Sequence, residues 1–301
     1  MDNARFKVAH RLSYFVLHYY HKGLGARWLL DRLCHWLVPS AYDSTICSTI
    51  YNVNLQVDFS DHIASSIYYL GAYEAGTVSI LKHFLHYGDL FLDVGAHIGF
   101  ISCVVARFVG DSGFVYAVEP NPETYKILRE NIRINNLENI SALEVALGAE
   151  VGKARIYNNA DKAVASLIRP RDFNEESGKK VTVTTIDTLM ENRITRIPTL
   201  IKIDVEGFEL EVLKGARNLL SSPEAPMLCV EYEQNRGNRS EIYKFITSIN
   251  NYSLYRLKHG KSIPSKLVRI SKKHQLQNYD NIFCFLDKHL DAGTHLTKCF
   301  R

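Results

Sequence analysis

The sequence predicts an α/β protein: a doubly wound, mostly parallel sheet of seven strands with helices on both faces. Three observations point to it. Residues 90–94 form a short run that is apolar apart from its Asp, as expected of a parallel strand buried on both faces, and further short strands read at 114–118, 200–204 and 227–232. Residues with helical apolar spacing follow these runs, giving a repeated strand–helix order. The first run ends in Gly95-Ala96-His97-Ile98-Gly99, a tight turn of the kind that leads a parallel strand into a helix.

The elements follow in order. Residues 5–38 place Leu12, Phe15, Val16, Tyr19 and Tyr20, then Trp28, Leu29, Leu33, Trp36 and Leu37 at helical spacing, with a break at Gly23-Leu24-Gly25. This reads as a helical cap, or as a surface that meets a membrane, a lipid-linked substrate or a second subunit. Tyr51, Val53, Leu55 and Val57 alternate and suggest one or two strands within 45–70. A helix through Val78, Leu81 and Leu85 then delivers the chain to the first core strand. The helix after Gly99 uses Ile101, Val104, Val105 and Phe108. The second core strand closes on Glu119. Asn121 suits an N-cap, Pro122 the first helical position and Glu123 the positive end of the helix dipole. A third strand is expected at about 140–146. Residues 154–157, 165–168 and 181–186 read as a small antiparallel insertion. The fourth strand, 200–204, leads into a helix over about 208–220. A fifth strand at 227–232, a helix at 240–249 and an antiparallel pair at 252–257 and 282–286 complete the count. The expected domains are an N-terminal helical and β extension over 1–65, the α/β domain over 66–290 and a tail over 291–301.

A strand, a glycine turn, a helix and a second strand ending in an acid form a nucleoside-binding unit. Dinucleotide enzymes need glycine at the middle of G-x-G-x-x-G, so that a diphosphate can approach the backbone. Here His97 stands at that position, and Asp93 adds negative charge beside it. S-adenosylmethionine reverses both constraints. It carries no phosphate, and its ammonium and sulfonium favour a nearby carboxylate. Glu119 can accept from the two ribose hydroxyls. The cofactor-side candidates are therefore Asp93, Gly95, Ala96, His97, Gly99, Glu119, Pro120 and Asn121. Tyr73 and Glu74 join them, because the helix before the first strand often covers the cofactor.

Three blocks carry a resemblance: Phe-Leu-Asp93-Val-Gly95-Ala-His-Ile-Gly99-Phe; Val-Glu119-Pro-Asn-Pro; and Ile-Lys-Ile-Asp204-Val-Glu206-Gly207-Phe-Glu209-Leu-Glu-Val-Leu-Lys-Gly215-Ala. Together they resemble the FkbM family of class I methyltransferases, over roughly residues 89–220. Weaker echoes lie in Thr185-Ile186-Asp187 and in the last strand. The Asp-x-Glu-Gly block, followed by Glu-x-x-x-Leu-x-Gly, is the most specific part. The resemblance implies a Rossmann-like methyltransferase fold and O-methylation of a hydroxyl, often on a sugar or a polyketide-like natural product. Two departures stand out. Phe208 replaces a small residue, and Ala146-Leu147-Gly148 offers no acid for the adenine amino group.

Methyl transfer to a hydroxyl requires a positioned acceptor and a place for its proton. That place should lie at the C-terminal edge of the sheet. Asp204 and Glu206 directly follow the fourth strand and are candidates, although Glu206 also suits a helix cap. Glu231 and Glu233 end the fifth strand on one face, and Glu231 is the third catalytic candidate. His97 is a further base candidate, but its place in the turn favours shaping the donor pocket. No set of His, Cys and acidic residues has metal-ligand spacing, so no metal site is expected.

The formal net charge of +4 is too small to argue for nucleic acid. Arg5, Lys7, Arg11, Lys22, Arg27 and Arg32 concentrate the positive excess in the first 40 residues. A second basic stretch, 244–274, holds Lys244, Arg256, Lys258, Lys261, Lys266, Arg269, Lys272 and Lys273 without an acid. It reads as a solvated loop, or as a lip that recruits an anionic acceptor. The six cysteines form no C-x-x-C pair and suggest buried free thiols in a reducing compartment. No apolar run is long enough to span a bilayer. A cytoplasmic enzyme acting on a small-molecule or glycan acceptor is expected, with peripheral membrane contact through the N-terminus open. The alternatives are an RNA methyltransferase, suggested also by Asn131-Ile-Arg-Ile-Asn135, and a binding protein that has kept the cofactor pocket without catalysis.

Overall fold

The computed structural model describes residues 44–58, 62–158, 165–167, 178–233, 239–272, 275–276 and 279–291. The helical reading of 5–38, the basic N-terminus and the tail after Asp291 lie outside these residues. The described chain forms two compact units, divided between Tyr73 and Glu74.

The first unit is an antiparallel hairpin, β1 (Thr45–Ser48) and β2 (Asn54–Val57), followed by α1 (His62–Leu70). Leu55 and Val57 alternate inward along β2, and with Val53 and Ile67 they are buried. This is the period-2 pattern visible in the sequence.

The second unit begins with α2 (Ala75–Phe84), β3 (Leu90–Val94), α3 (Phe100–Val109), β4 (Phe114–Val118), α4 (Pro122–Ile134) and β5 (Ile140–Leu143). Four short strands come next: β6 (Ala146–Leu147), β7 (Gly152–Asn158), β8 (Ala165–Ser166) and β9 (Lys179–Thr184). Then follow α5 (Ile186–Asn192), β10 (Leu200–Ile203), α6 (Glu209–Lys214), α7 (Arg217–Ser221) and β11 (Met227–Glu233). Last come α8 (Arg239–Ile249), β12 (Ser253–Leu257), β13 (Leu267–Ile270), β14 (Tyr279–Phe285) and α9 (Asp287–Asp291).

The main sheet has eight strands in the order β13-β12-β14-β11-β10-β3-β4-β5. The five strands from β11 to β5 are parallel, and β14, β12 and β13 are antiparallel. Every residue of β3 is buried, as its unbroken apolar run requires. From β3 the chain winds outward through β4 and β5, then returns to β10 on the other side. The winding reverses between β3 and β10, which opens a crevice at their C-terminal ends. The main core packs Leu92, Val94, Ile201, Ile203, Leu213 and Leu228 around this centre.

The structure refines several sequence expectations. The antiparallel end has three strands, because Leu267–Ile270 pairs with β12. The third strand stops at Leu143, and Ala146–Leu147 instead pairs with β9 in the separate four-stranded sheet. The expected strand through Ile186 ends at Thr184. There the Thr185 hydroxyl accepts from Thr188 N at 2.9 Å and starts α5. The single helix expected over 208–220 is two helices with a break at Gly215-Ala216. A Cβ on Gly215 would lie 1.9 Å from the Gly148 carbonyl oxygen, so two backbones meet there. Phe208 packs beside the same glycine, with its ring 3.3 Å from a Gly148 Cβ position.

Among the described residues Cys47, Cys103, Cys229 and Cys284 are free and buried. No helix of the described residues is long and apolar enough to cross a membrane.

Candidate active site

The glycine turn lies at the reversal of the sheet. Gly95, His97 and Gly99 all adopt positive φ, at 83°, 52° and 87°. Gly95 and Ala96 donate their amides to the Val118 carbonyl at 3.0 and 2.9 Å, which ties the turn to the end of β4. A Cβ on Gly95 would fall 1.8 Å from the Asp204 carbonyl oxygen. The glycine is therefore required by contact with the end of β10, not only by its dihedral angle. Gly99 is constrained less tightly: a Cβ there would lie 2.4 Å from the side-chain atom Leu128 Cδ1.

Glu119 closes the turn from β4. Its Oε2 accepts from His97 N and its Oε1 from Asn121 N, both at 2.9 Å. Each oxygen keeps a further lone pair for a ribose hydroxyl. Burial raises the Glu119 carboxyl above its ordinary range, against the charge of His97 and the two amides. Asn121 Oδ1 caps Glu123 N at 3.2 Å, as its sequence position predicts. Pro120 and His97 are half-buried beside this carboxyl.

Asp93 is fully buried. Its Oδ2 accepts from the Ser102 hydroxyl at 2.6 Å, and its Oδ1 has no hydrogen-bond partner. Burial raises its carboxyl, and the Lys202 ammonium opposes that shift. A buried carboxylate oxygen without a partner, next to two lone pairs on Glu119, suits a ligand that brings a cation and a diol. S-adenosylmethionine fits both requirements.

Beyond the crevice the acids form a network. Lys202 and Asp93 are register partners on β10 and β3. Lys202 Nζ donates to Asp204 Oδ2 at 2.7 Å. Asp204 is hydrogen-bonded to Glu231 at the end of β11. Lys261, from the turn between β12 and β13, places its Nζ 2.7 Å from Glu231 Oε1 and 2.7 Å from Glu74 Oε1. Glu74 Oε2 and the Thr77 hydroxyl both accept from Asn281 Nδ2, at 2.9 and 2.8 Å. The oxygens of Glu74, Asp204 and Glu231 gather within 4.8 Å of one another. Such a group could hold a cation, and the cation seated there is the Lys261 ammonium.

The two protonation states diverge. Burial pushes Glu231 well above the carboxylate range, and the Asp204 charge adds to it against Lys261. Burial alone would raise Asp204 too. The ammoniums of Lys202 and Lys261, with hydrogen bonds from Glu231 and Lys202, instead hold it well below. Of the coupled pair, Asp204 is the more acidic member and Glu231 the less acidic one. The Asp204 side chain keeps 18% exposure against 5% for Lys202, so it is the more exposed member of that ion pair.

The remaining candidates fall nearby or outside. Glu206 is half-buried at φ 55°. No side chain caps the following helix, whose N-cap position is Phe208; Glu209 instead folds back on the turn, its Oε1 accepting from Gly207 N at 2.9 Å and Val205 N at 3.2 Å. Tyr73 is the half-buried last residue of the first unit, and the Glu233 side chain lies outside the described residues. Sequence reasoning missed Lys202, Glu209, Lys261 and Asn281 as site residues. Lys202 carried a signal: a lysine inside a doubly buried strand must find a carboxylate.

A family model described as the methyltransferase FkbM domain matches residues 93–257, more than half of the chain. The hexuronic acid methyltransferase AglP of Haloferax volcanii is 28% identical over 149 residues, covering 50% of this chain and 59% of that protein. A probable cobalt-precorrin-6B C(15)-methyltransferase (decarboxylating) of Sulfolobus acidocaldarius is 37% identical over 71 residues, covering 24% of this chain and 37% of its own length. The chain thus spans less than two thirds of the length of each of these relatives. The crystal structure of an S-adenosylmethionine-dependent methyltransferase from Agrobacterium tumefaciens overlays with a TM-score of 0.46 at 11% identity, covering 82% of this chain and 70% of that one. The family match coincides with the glycine turn, Glu119 and the Asp204–Gly215 block, and on that ground the chain belongs to the FkbM family of S-adenosylmethionine-dependent methyltransferases.

Proposed function

We propose that the chain methylates a hydroxyl of a carbohydrate or glycan precursor, with acidic sugars foremost. The observation that carries this reading is the partly exposed Asp204 carboxyl, paired with Lys202, whose own backbone packs against Gly95 of the cofactor turn. An acceptor hydroxyl bound at Asp204 lies next to the donor. When bound, S-adenosylmethionine supplies a methyl carbon activated by its sulfonium. Asp93 and Glu119 orient it: Asp93 through charge, Glu119 through the ribose. Asp204 receives the hydroxyl proton as the new O–C bond forms and the S–C bond breaks. Glu231, protonated and hydrogen-bonded to Asp204, and Lys202 keep that carboxylate ionised and in place until then.

Two features support an anionic acceptor. Lys258, Lys266 and Arg269 are exposed on and beside the turn that carries Lys261 into the site. The relative from Haloferax is named for a hexuronic acid. Peripheral membrane contact through the N-terminal segment remains part of the proposal for a lipid-linked acceptor. The test is transfer of tritiated methyl from S-adenosylmethionine into a panel of uronic-acid glycans, neutral glycans and total RNA. Label in the glycans, strongest in the uronic acids, is expected. Label confined to RNA overturns the reading.

A further inference from the structure

Lys261 has no step in the chemistry above, yet it is fixed from two sides. Its carbonyl accepts from Gly76 N at 3.0 Å and Thr77 N at 3.2 Å, so it satisfies the first free amides of α2. A Cβ on Gly76 would lie 2.7 Å from the Ile263 carbonyl oxygen and 2.8 Å from that of Lys261. Only glycine lets the β12–β13 turn seat this closely on the helix. The side chain then enters the acidic network and bridges Glu74 and Glu231. Side-chain exposure is 20% for Lys261, 10% for Glu231 and 1% for Glu74, so the bridge is shielded from solvent screening.

We propose that Lys261 is a positioning residue: it holds Glu231 against Asp204 and sets how tightly that pair keeps its proton. Two hydrogen-bonded carboxyls share a proton, and its affinity belongs to the pair together with the charges around it. Those charges come from every neighbouring element: Asp93 from β3, Lys202 beside Asp204 on β10, Glu209 from α6, Glu74 at the start of α2, and Lys261 from the turn. Asn281, the register partner of Glu231 on β14, is neutral and anchors Glu74. Lys261 is the cation in direct contact with Glu231. Without it, the excess of carboxylates over ammoniums draws the proton more firmly onto Glu231. The pair then releases a second proton less readily after each turnover.

The proposal rests on assigning the acceptor's proton to this pair, but its test uses no acceptor. Infrared spectroscopy can follow the protonated-carboxyl band of the full chain as pH is varied. Glu231→Gln identifies the Glu231 band by its loss. Lys261→Met is expected to raise the midpoint of that band by about one pH unit or more, because a contacting ammonium at low dielectric shifts a carboxyl by that order. Lys261→Arg should leave it within about half a unit. If Lys261→Met does not fold, Glu74→Gln serves instead. It frees the ammonium to act on Glu231 alone and should lower the midpoint. A midpoint that moves with neither change, or moves the opposite way, overturns the positioning role. A purely structural lysine would lower the unfolding temperature and leave the midpoint in place. Methyl transfer measured separately on the same variants reports on the proposed chemistry, so the two failures are distinguishable.

Discussion

Glu209→Gln should make the protein more stable at neutral pH while changing nothing at acid pH. Glu209 is 5% exposed, and its Oε1 accepts two backbone amides in the turn after β10. Burial pushes its carboxyl up to about 7 from 4.5, although the amides of Gly207, Glu209 and Val205 pull it down; the Asp204 charge adds to the rise. The sign follows from linkage. The folded state binds this proton more tightly than the unfolded chain, so the stabilisation is complete below about pH 4.5 and is lost as pH rises through about 7. A shift of roughly 2.5 units corresponds to about 3 kcal/mol, the amount by which ionising Glu209 weakens the fold above pH 7. Glutamine keeps the accepting oxygen and cannot ionise. Urea unfolding of both proteins at several pH values between 4.5 and 8 measures the difference. It should be near zero at the acid end and grow to about 3 kcal/mol in favour of Glu209→Gln at pH 8. A difference that stays flat across this range would show that Glu209 is already ionised in the folded state, and the account of the turn would fail.

Gly95→Ala places a Cβ on the Asp204 carbonyl, and a loss of more than about 4 kcal/mol in unfolding free energy is expected, with donor binding abolished; wild-type calorimetry with S-adenosylhomocysteine would refute the close packing. Glu119→Ala should weaken S-adenosylhomocysteine by roughly tenfold to a hundredfold, the worth of one or two hydrogen bonds to a carboxylate; unchanged affinity would remove Glu119 from the cofactor site. Asp204→Asn should lower methyl transfer about a hundredfold or more while donor affinity changes far less; turnover that survives excludes Asp204 as the proton acceptor.

The centre of the fold was legible because β3 and β10 are buried throughout, β11 over Met227–Tyr232 and β4 at its C-terminal end, so their runs are mostly apolar. The glycine turn, Glu119 and Asp204 were legible for a related reason: each stands at a strand end where chemistry and backbone geometry coincide. The rest was hidden by distance along the chain. Lys261 and Glu74 lie far apart in sequence, and only the docking of a turn on a helix joins them. Glu209 was hidden differently. It occupies a motif position, but its partners are the Val205 and Gly207 amides of the preceding turn, a contact that helical spacing does not record. The break at Gly215 depends on a backbone contact with Gly148, which no local pattern records.

The contact between Gly95 and the Asp204 carbonyl has a consequence for how such an enzyme can diversify. On the proposed reading, donor grip and proton acceptance share one joint with no slack in it, so neither can drift without dragging the other. New acceptors would then be accommodated from the periphery, in the Lys258–Lys266 turn, while the joint stays frozen. An engineer who wants a different product should leave residues 93–99 and 204–209 alone and rebuild the rim.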